Sequence, residues 1–319
     1  MVKLNRIYLP GLLLLLIALL ALNGCAAKTT GAVRDDSSLT GVSKELAPTG
    51  EYTGPKLRVG VVNFQNKTPS KHIGIGEAAA DILGTILQKT DRFIIIPQQD
   101  VAPILEQQSM GASGAINPAT AAQMGKILGL NAIVTGAISA YSEAEEGSDY
   151  LVYKKKKQIA RVTVDYRIVD TTTGIQFAAD SGQGVYEKMT GGALGLGSKS
   201  SYDADLRDGA LRDALTKGMV NMLKQFESQE WSGRIASIKG RTVYLNAGQK
   251  TGLKVGDVLM VQELGEEILD PQTNVSLGRA PGPVKGEVIV TGYFGKDGSM
   301  ATIRSGTGFN TNDLVKYKR

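Results

Sequence analysis

The sequence predicts an α/β (α+β) chain: a sandwich-like N-terminal domain with a mixed sheet flanked by helices, followed by a small all-β domain. Three observations carry that prediction. A β-branched run at 57–64 is followed by apolar residues at three-and-four spacing, the strand–helix order of an α/β unit. Within 158–170, Ala160, Val162, Val164, Tyr166 and Ile168 alternate with Arg161, Thr163, Asp165 and Arg167, the period of a half-buried strand. From Trp231 onward only short β-rich runs occur, separated by glycine turns.

Taken in order, the chain opens with Lys3 and Arg6 ahead of an apolar core from Leu9 to Leu22. That core of about 14 residues is short for a membrane span, which needs roughly 20. It ends in Leu22-Asn23-Gly24-Cys25, so residues 1–24 have the layout of a cleaved secretory signal. The cleavage region resembles a bacterial lipobox: Leu22 supplies the large aliphatic residue, Gly24 the small one, and Asn23 a less usual middle residue. The resemblance implies that Cys25, the only cysteine of the chain, becomes the lipidated first residue. One acyl chain anchors only marginally, whereas several hold a protein on a bilayer permanently. Ala26 stands where an aspartate would favour inner-membrane retention, which points to the outer membrane, with the protein facing the periplasm. Residues 25–56 are rich in Lys, Thr, Gly and Ser without periodicity and read as a flexible tether. Its reach is on the order of 30 Å.

The first domain is expected at 57–228. A strand over Leu57–Phe64 precedes a helix at Ile75–Lys89, with Ala79, Ile82, Leu83, Ile86 and Leu87 on one face. Phe93–Ile96 is a short buried strand. Helices follow at Asp100–Gln108 and from Asn117-Pro118, where a capping side chain precedes a proline in the first turn. Strands are expected at Ala132–Tyr141, Gln158–Asp170 and Ile175–Tyr186, the last two joined by the turn Asp170–Gly174. An amphipathic helix over about Tyr202–Glu227 closes the unit. The second domain, 231–319, reads as an all-β module with strands at Gly233–Ile238, Thr242–Asn246 and Val258–Gln262, and turns at Gly256-Asp257 and Asp270–Asn274.

Composition limits the function. Cleavage of the signal removes two of the 36 Lys and Arg and none of the 31 acids, leaving a balance that gives no reason to expect nucleic acid as a partner. With Cys25 acylated no disulfide is possible. One histidine, His72, and one tryptophan leave little material for catalysis, and no catalytic, cofactor or metal residue is assigned. Gly74–Ala79 fits G-x-G-x-x-A, but it lies ten residues beyond the strand end, where a dinucleotide site needs it directly. Gly192–Ser200 has the outline of a phosphate loop, yet Ser198 replaces the glycine required before the lysine. His72 has no neighbouring acid or nucleophile that would make a triad. Asp203, Asp205 and Asp208 stand near a helix start, where acids meet the dipole favourably, and with Asp165 and Asp170 they do not read as a cation site. The run Lys154–Lys157 reads as a solvated hairpin tip.

An ordered series of motifs carries a family resemblance: Val59–Thr68, Arg92–Pro97, Gln98–Gln108, Ala122–Ile138 and Val164–Gly174. Together with the lipobox they resemble the curli production assembly/transport component family of lipoproteins, over roughly residues 57–226. The remainder is similar to the C-terminal β domain of a flagellar assembly lipoprotein, through Gly252–Asp257 and Asp270–Gly278. The first resemblance implies a non-enzymatic, ring-forming homo-oligomer that exports or assembles surface fibre subunits. Its partners would be the bilayer through Cys25 and either secreted fibre subunits or envelope proteins. It also implies two hairpins per subunit, at about 141–162 and 182–202, that join into a β-barrel. A lipid-facing lysine costs about 2–4 kcal/mol at the bilayer midplane, so Lys154–Lys157 fit only an interface or a turn. A scaffold without a pore is the alternative reading.

Overall fold

The structure, a computed structural model, describes residues 29–33, 54–69, 74–107, 118–150, 153–193, 204–226, 229–273 and 276–317. Its first unit is a seven-stranded mixed sheet. Strand β1 (Thr29–Val33) is followed by β2 (Leu57–Val61), β3 (Gln65–Asn66), helix α1 (Ile75–Lys89) and β4 (Phe93–Ile96). Helices α2 (Gln98–Gln107) and α3 (Pro118–Leu128) lead to β5 (Ala132–Tyr150), β6 (Tyr153–Asp170), β7 (Gln176–Ala193) and helix α4 (Ala204–Phe226). The strand order is β1-β7-β6-β5-β2-β4, with β3 beside β5. β2 is parallel to β4 and β5, as strand–helix–strand crossovers require, and β5, β6 and β7 form an antiparallel meander.

Two apolar cores sandwich the sheet. On one face α1 contributes Ile75, Leu83 and Leu87, and α4 contributes Leu206, Leu211, Leu215 and Met219, against Val59, Val134, Val162, Val164 and Ile168. On the other, Val101 and Ile104 of α2 and Ala121 and Met124 of α3 cover Val62, Ile133 and Val169. Close approach of α4 to β7 is set by glycines. A Cβ on Gly182 would lie 2.2 Å from the Ala214 carbonyl oxygen, and one on Gly184 would lie 2.1 Å from that of Ala210. Asp213, buried in α4, accepts from the Val185 N–H of β7 at 2.9 Å and pairs with Lys217 at 2.9 Å. Tyr166 donates its hydroxyl to the Gly218 carbonyl at 2.7 Å.

The second unit is a closed six-stranded barrel of order β10-β13-β14-β9-β8-β15. Its strands are β8 (Ser232–Lys239), β9 (Thr242–Leu245), β10 (Val258–Gln262), β13 (Val284–Phe294), β14 (Gly298–Gly306) and β15 (Leu314–Tyr317). β11 (Glu267–Leu269) and β12 (Ser276–Arg279) form a separate hairpin between β10 and β13. Ile235, Val243, Leu245, Leu259, Val261, Val288, Val290, Ala301 and Val315 fill the barrel. The expected Asp270 turn joins β11 to β12. Its carboxylate accepts from the N–H groups of Gln272 and Thr273 at 3.0 and 2.8 Å, which holds its pKa below the usual range.

The two units meet through a polar seam. Asn131 accepts from the Arg58 N–H at 2.9 Å and donates to the Ser232 carbonyl at 2.6 Å. Arg58 donates to the Asn246 carbonyl of the barrel at 3.5 Å and pairs with Asp297 of the barrel at 3.5 Å. Asp297 also ties down the 248–251 loop, accepting from the Gly248 and Thr251 N–H groups and the Thr251 hydroxyl.

Three expectations are corrected. Strand β2 ends at Val61 rather than Phe64, and the Phe64 N–H donates instead to the Gly76 carbonyl of α1 at 3.2 Å. Strands expected to stop at Tyr141, start at Gln158 and stop at Tyr186 instead run to Tyr150, from Tyr153 and to Ala193. The stretch expected as a tether contains β1, paired antiparallel with β7 from Thr29↔Thr190 to Val33↔Tyr186. The edge of β7 carries backbone donors and acceptors that a further strand satisfies.

Candidate functional site

The extra strand length forms one object. From Tyr141 and Val162 outward, β5 and β6 stay paired to Tyr150↔Tyr153, and β7 stays paired with β6 to Ala193↔Tyr153. At about 3.3 Å per residue, the ten residues from Tyr141 to Tyr150 reach roughly 30 Å. β2 and β3 flank β5 as far as Ile138; beyond it, among the described residues, β6 is the strand alongside β5. The ribbon therefore leaves the helix-covered sheet as an antiparallel array of β5, β6 and β7, with β1 on its far side.

Its chemistry follows from the register. Residues opposite one another share a face, and residues two apart along a strand do too. Glu143, Glu145, Lys156, Gln158 and Lys188 fall on the face that carries α4. Here Lys156 pairs with Glu145 at 2.6 Å, and Lys188 reaches Asp205 of α4 at 3.7 Å. Ala144, Glu146, Lys157, Ile159, Glu187 and Met189 fall on the opposite face, where Lys157 pairs with Glu187 at 3.0 Å. Both faces are charged. Lys154–Lys157, expected at a hairpin tip, are thus inside strand β6, whose pairing with β5 continues beyond them to Tyr150↔Tyr153. The ion pairs across the strands are what the sequence reading missed; the acidic run 143–149 opposite the lysine run is the signal that could have found them.

Leu22, Asn23, Gly24 and Cys25, the expected cleavage and lipidation residues, lie outside the described residues, as do His72 and Asp203. Gly74 and Gly76 have a structural explanation. Gly74 sits at the N-cap of α1 with φ 81°, and a Cβ on Gly76 would lie 1.8 Å from the Phe64 carbonyl oxygen. Of the phosphate-loop-like stretch, Gly192 and Ala193 belong to β7 and 194–200 lie outside the described residues. The aspartates do not converge. Asp170 accepts from the N–H groups of Thr172 and Thr173 in its own turn, Asp205 meets Lys188, and Asp208 pairs with Arg207. Among the described residues no group of three His, Cys, Asp or Glu side chains is placed to hold a metal. Nor, among them, is any helix long and apolar enough to cross a membrane.

A second feature lies at the seam between the units, where α3, the turn after β6 and the barrel enclose a cleft of about 430 Å³. Arg234, Arg279 and Lys126 line it, together with Glu267. Sequence reasoning gave no sign of it, since its cations come from three separate parts of the chain.

No curated protein matches the chain. Among solved structures it is similar to the lipoprotein GNA1162 from Neisseria meningitidis, at 17% identity over 53% of this chain and 98% of that one, with a TM-score of 0.33. It is similar to the LpoB C-terminal domain from Salmonella enterica at 15% identity, over 44% of this chain and 90% of that one, TM-score 0.29. The PelC dodecamer from Paraburkholderia phytofirmans gives 13% identity over 60% and 96% of the two chains, TM-score 0.27. A sequence match to a family model spans residues 42–254, from ahead of β2 through the mixed sheet and into the barrel, and by it the chain belongs to the family of the curli production assembly/transport component CsgG.

Proposed function

We propose that this protein is an outer-membrane lipoprotein, anchored through Cys25 and facing the periplasm, that works without catalysis as an oligomeric platform for exporting or assembling surface fibre subunits. Residues 1–24 are its signal, 25–56 its connection to the membrane, 57–228 the assembly unit and 231–319 a module that recruits partners. The observation that supports this reading best is the ribbon. The first hairpin region that the family resemblance implies is extended and paired in the single chain, with a reach of roughly 30 Å, and of the second the strand to Ala193 is paired alongside it. That length matches the 9–11 residues that a membrane-crossing strand needs. Strands held in register before assembly reduce the ordering cost when copies meet.

The chemistry of the ribbon favours a second reading, a platform that assembles partners without a pore. A lipid-facing surface needs an unbroken apolar face. Here Glu143, Glu145 and Lys156 mark one face and Glu146, Lys157 and Glu187 the other. Conductance of the detergent-extracted, lipidated protein in a planar bilayer separates the two. Large steps that vanish when the ribbon is shortened support export through a pore; silence from a verified oligomer leaves the scaffold.

A further inference from the structure

The cleft at the seam between sheet and barrel has a composition that a purely structural junction does not need. Arg234 of β8 is 6% exposed, so most of its side chain is taken out of water while it lines the cleft. A guanidinium has five N–H donors in a planar fork that matches an oxyanion. Here one donor reaches the Asn312 carbonyl at 3.3 Å, and among the described residues Arg234 makes no ion pair. The carboxylate acting on it from farther away is Asp170, whose Oδ1 already accepts from two backbone N–H groups in its turn.

Its neighbour makes the position more unfavourable. Arg279, at the end of β12, also lines the cleft; it donates to the Gly265 carbonyl at 3.0 Å and stands 3.8 Å from Glu267. Burial first, and the like charge of Arg279 second, weaken Arg234's hold on its proton, while Asp170 opposes them. A buried charge without a close counter-charge is strongly destabilising in general. Lys126 of α3 adds a third cation; it is exposed and, among the described residues, makes no ion pair. Three cations against one carboxylate therefore face a cleft whose volume lies within the range of small-molecule sites. Asn312, in a left-handed conformation at φ 71°, turns its carbonyl onto Arg234 and fixes one side of the fork.

We propose that this cleft binds a small oxyanion-bearing molecule of about sugar size, with Arg234 and Arg279 gripping its phosphate or carboxylate group and Lys126 at the mouth. The ligand then supplies the counter-charge that Arg234 lacks. It would bridge α3 and the β11–β12 hairpin, so occupancy stiffens the seam between the two units. The proposal does not depend on whether the ribbon forms a pore.

The test is isothermal titration of the full-length, detergent-extracted protein with inorganic phosphate, glucose 6-phosphate and glucuronate, with glucose as the neutral control. The expected result is saturable binding of at least one anionic probe at one site, none of glucose, and weakening with added salt. Arg279→Gln should weaken binding about tenfold or more, Lys126→Gln a few-fold, and Glu267→Gln should tighten it. Lys126 is exposed, so its variant folds whatever becomes of the arginine variants. Binding of the phosphates alone identifies a phosphoryl ligand, of glucuronate alone a carboxylate, and of both the shared oxyanion chemistry. No saturable binding by any anion at roughly millimolar concentration overturns the proposal, as does binding that Lys126→Gln and Arg279→Gln leave unchanged.

Discussion

Gly184→Ala tests how α4 is held against β7. A Cβ at this position would lie 2.1 Å from the Ala210 carbonyl oxygen, 2.4 Å from the Ala214 nitrogen and 3.0 Å from the Ala214 Cα. All three are backbone atoms of α4, so no side chain can rotate away. An ordinary carbon–oxygen contact is about 3.3 Å, so the helix must move out by roughly 1 Å. That shift loosens Leu206, Leu211, Leu215 and Met219 against the sheet and lengthens the bond from the Val185 N–H to Asp213. Overpacking of this kind costs about 1–3 kcal/mol, and a rigid backbone contact belongs at the upper end. A loss near 3 kcal/mol moves a urea midpoint down by roughly 1 M. Circular dichroism would follow the helices, while fluorescence of Trp231, the only tryptophan, would report on the barrel. Gly84→Ala in α1 is the matched control. Its Cβ would meet Ile95 Cγ2 at an ordinary 3.6 Å, so the exchange should stabilise the helix by up to about 1 kcal/mol. A Gly184→Ala loss below about 0.5 kcal/mol, or equal effects of the two exchanges, would refute the packing argument.

Other perturbations have equally definite outcomes. Asp213→Ala removes a buried acceptor from the Val185 N–H and the carboxylate that pairs with Lys217, and should cost about 2–3 kcal/mol by urea titration. Asn131→Ala breaks bonds to both Arg58 and Ser232 and should split a single calorimetric transition into two, sheet and barrel; one unaltered transition would contradict the seam described above. Burial, followed by Asp180, raises the Tyr166 phenol above its ordinary value of 10.0. Because the folded value exceeds the unfolded one, its contribution is full below about pH 10 and is lost as pH rises through the alkaline range. Tyr166→Phe should therefore flatten the alkaline loss of stability and cost about 1 kcal/mol at neutral pH from the missing bond to Gly218. Cys25→Ser should release the protein from the membrane fraction and abolish incorporation of labelled fatty acid; retention in the membrane would refute lipid anchoring.

The parts of the fold that were legible in the sequence are those where one physical cause dominates. Helix α1 occupies Ile75–Lys89 as its apolar spacing predicts, and β10 occupies Val258–Gln262 between its turns. The alternation at 158–170 gives the buried face of β6 from Ala160 to Ile168. The distal ribbon was not legible, because Glu143–Asp149 and Lys154–Lys157 have neither β-branched character nor an apolar period. Their extended form is carried by register inherited from the buried half of the hairpin and by pairs such as Lys156–Glu145. β1 was equally hidden, since five residues in a Thr- and Gly-containing stretch look like a linker until an edge is there to receive them. The cleft cations escaped for a third reason. Arg234 and Arg279 come together only when the β11–β12 hairpin and barrel strand β8 are brought to one cleft, and no short-range pattern encodes that.

If the ribbon is the element through which copies assemble, native mass spectrometry of the detergent-extracted lipoprotein will show it. The comparison is a variant in which the β5–β6 hairpin is closed early, joining Ser142 to Arg161, which face each other in the register, through a Gly-Gly turn. The full chain should give a discrete homo-oligomer and the shortened one monomers. A monomeric full chain, or the same oligomer from both proteins, would contradict assembly through the ribbon.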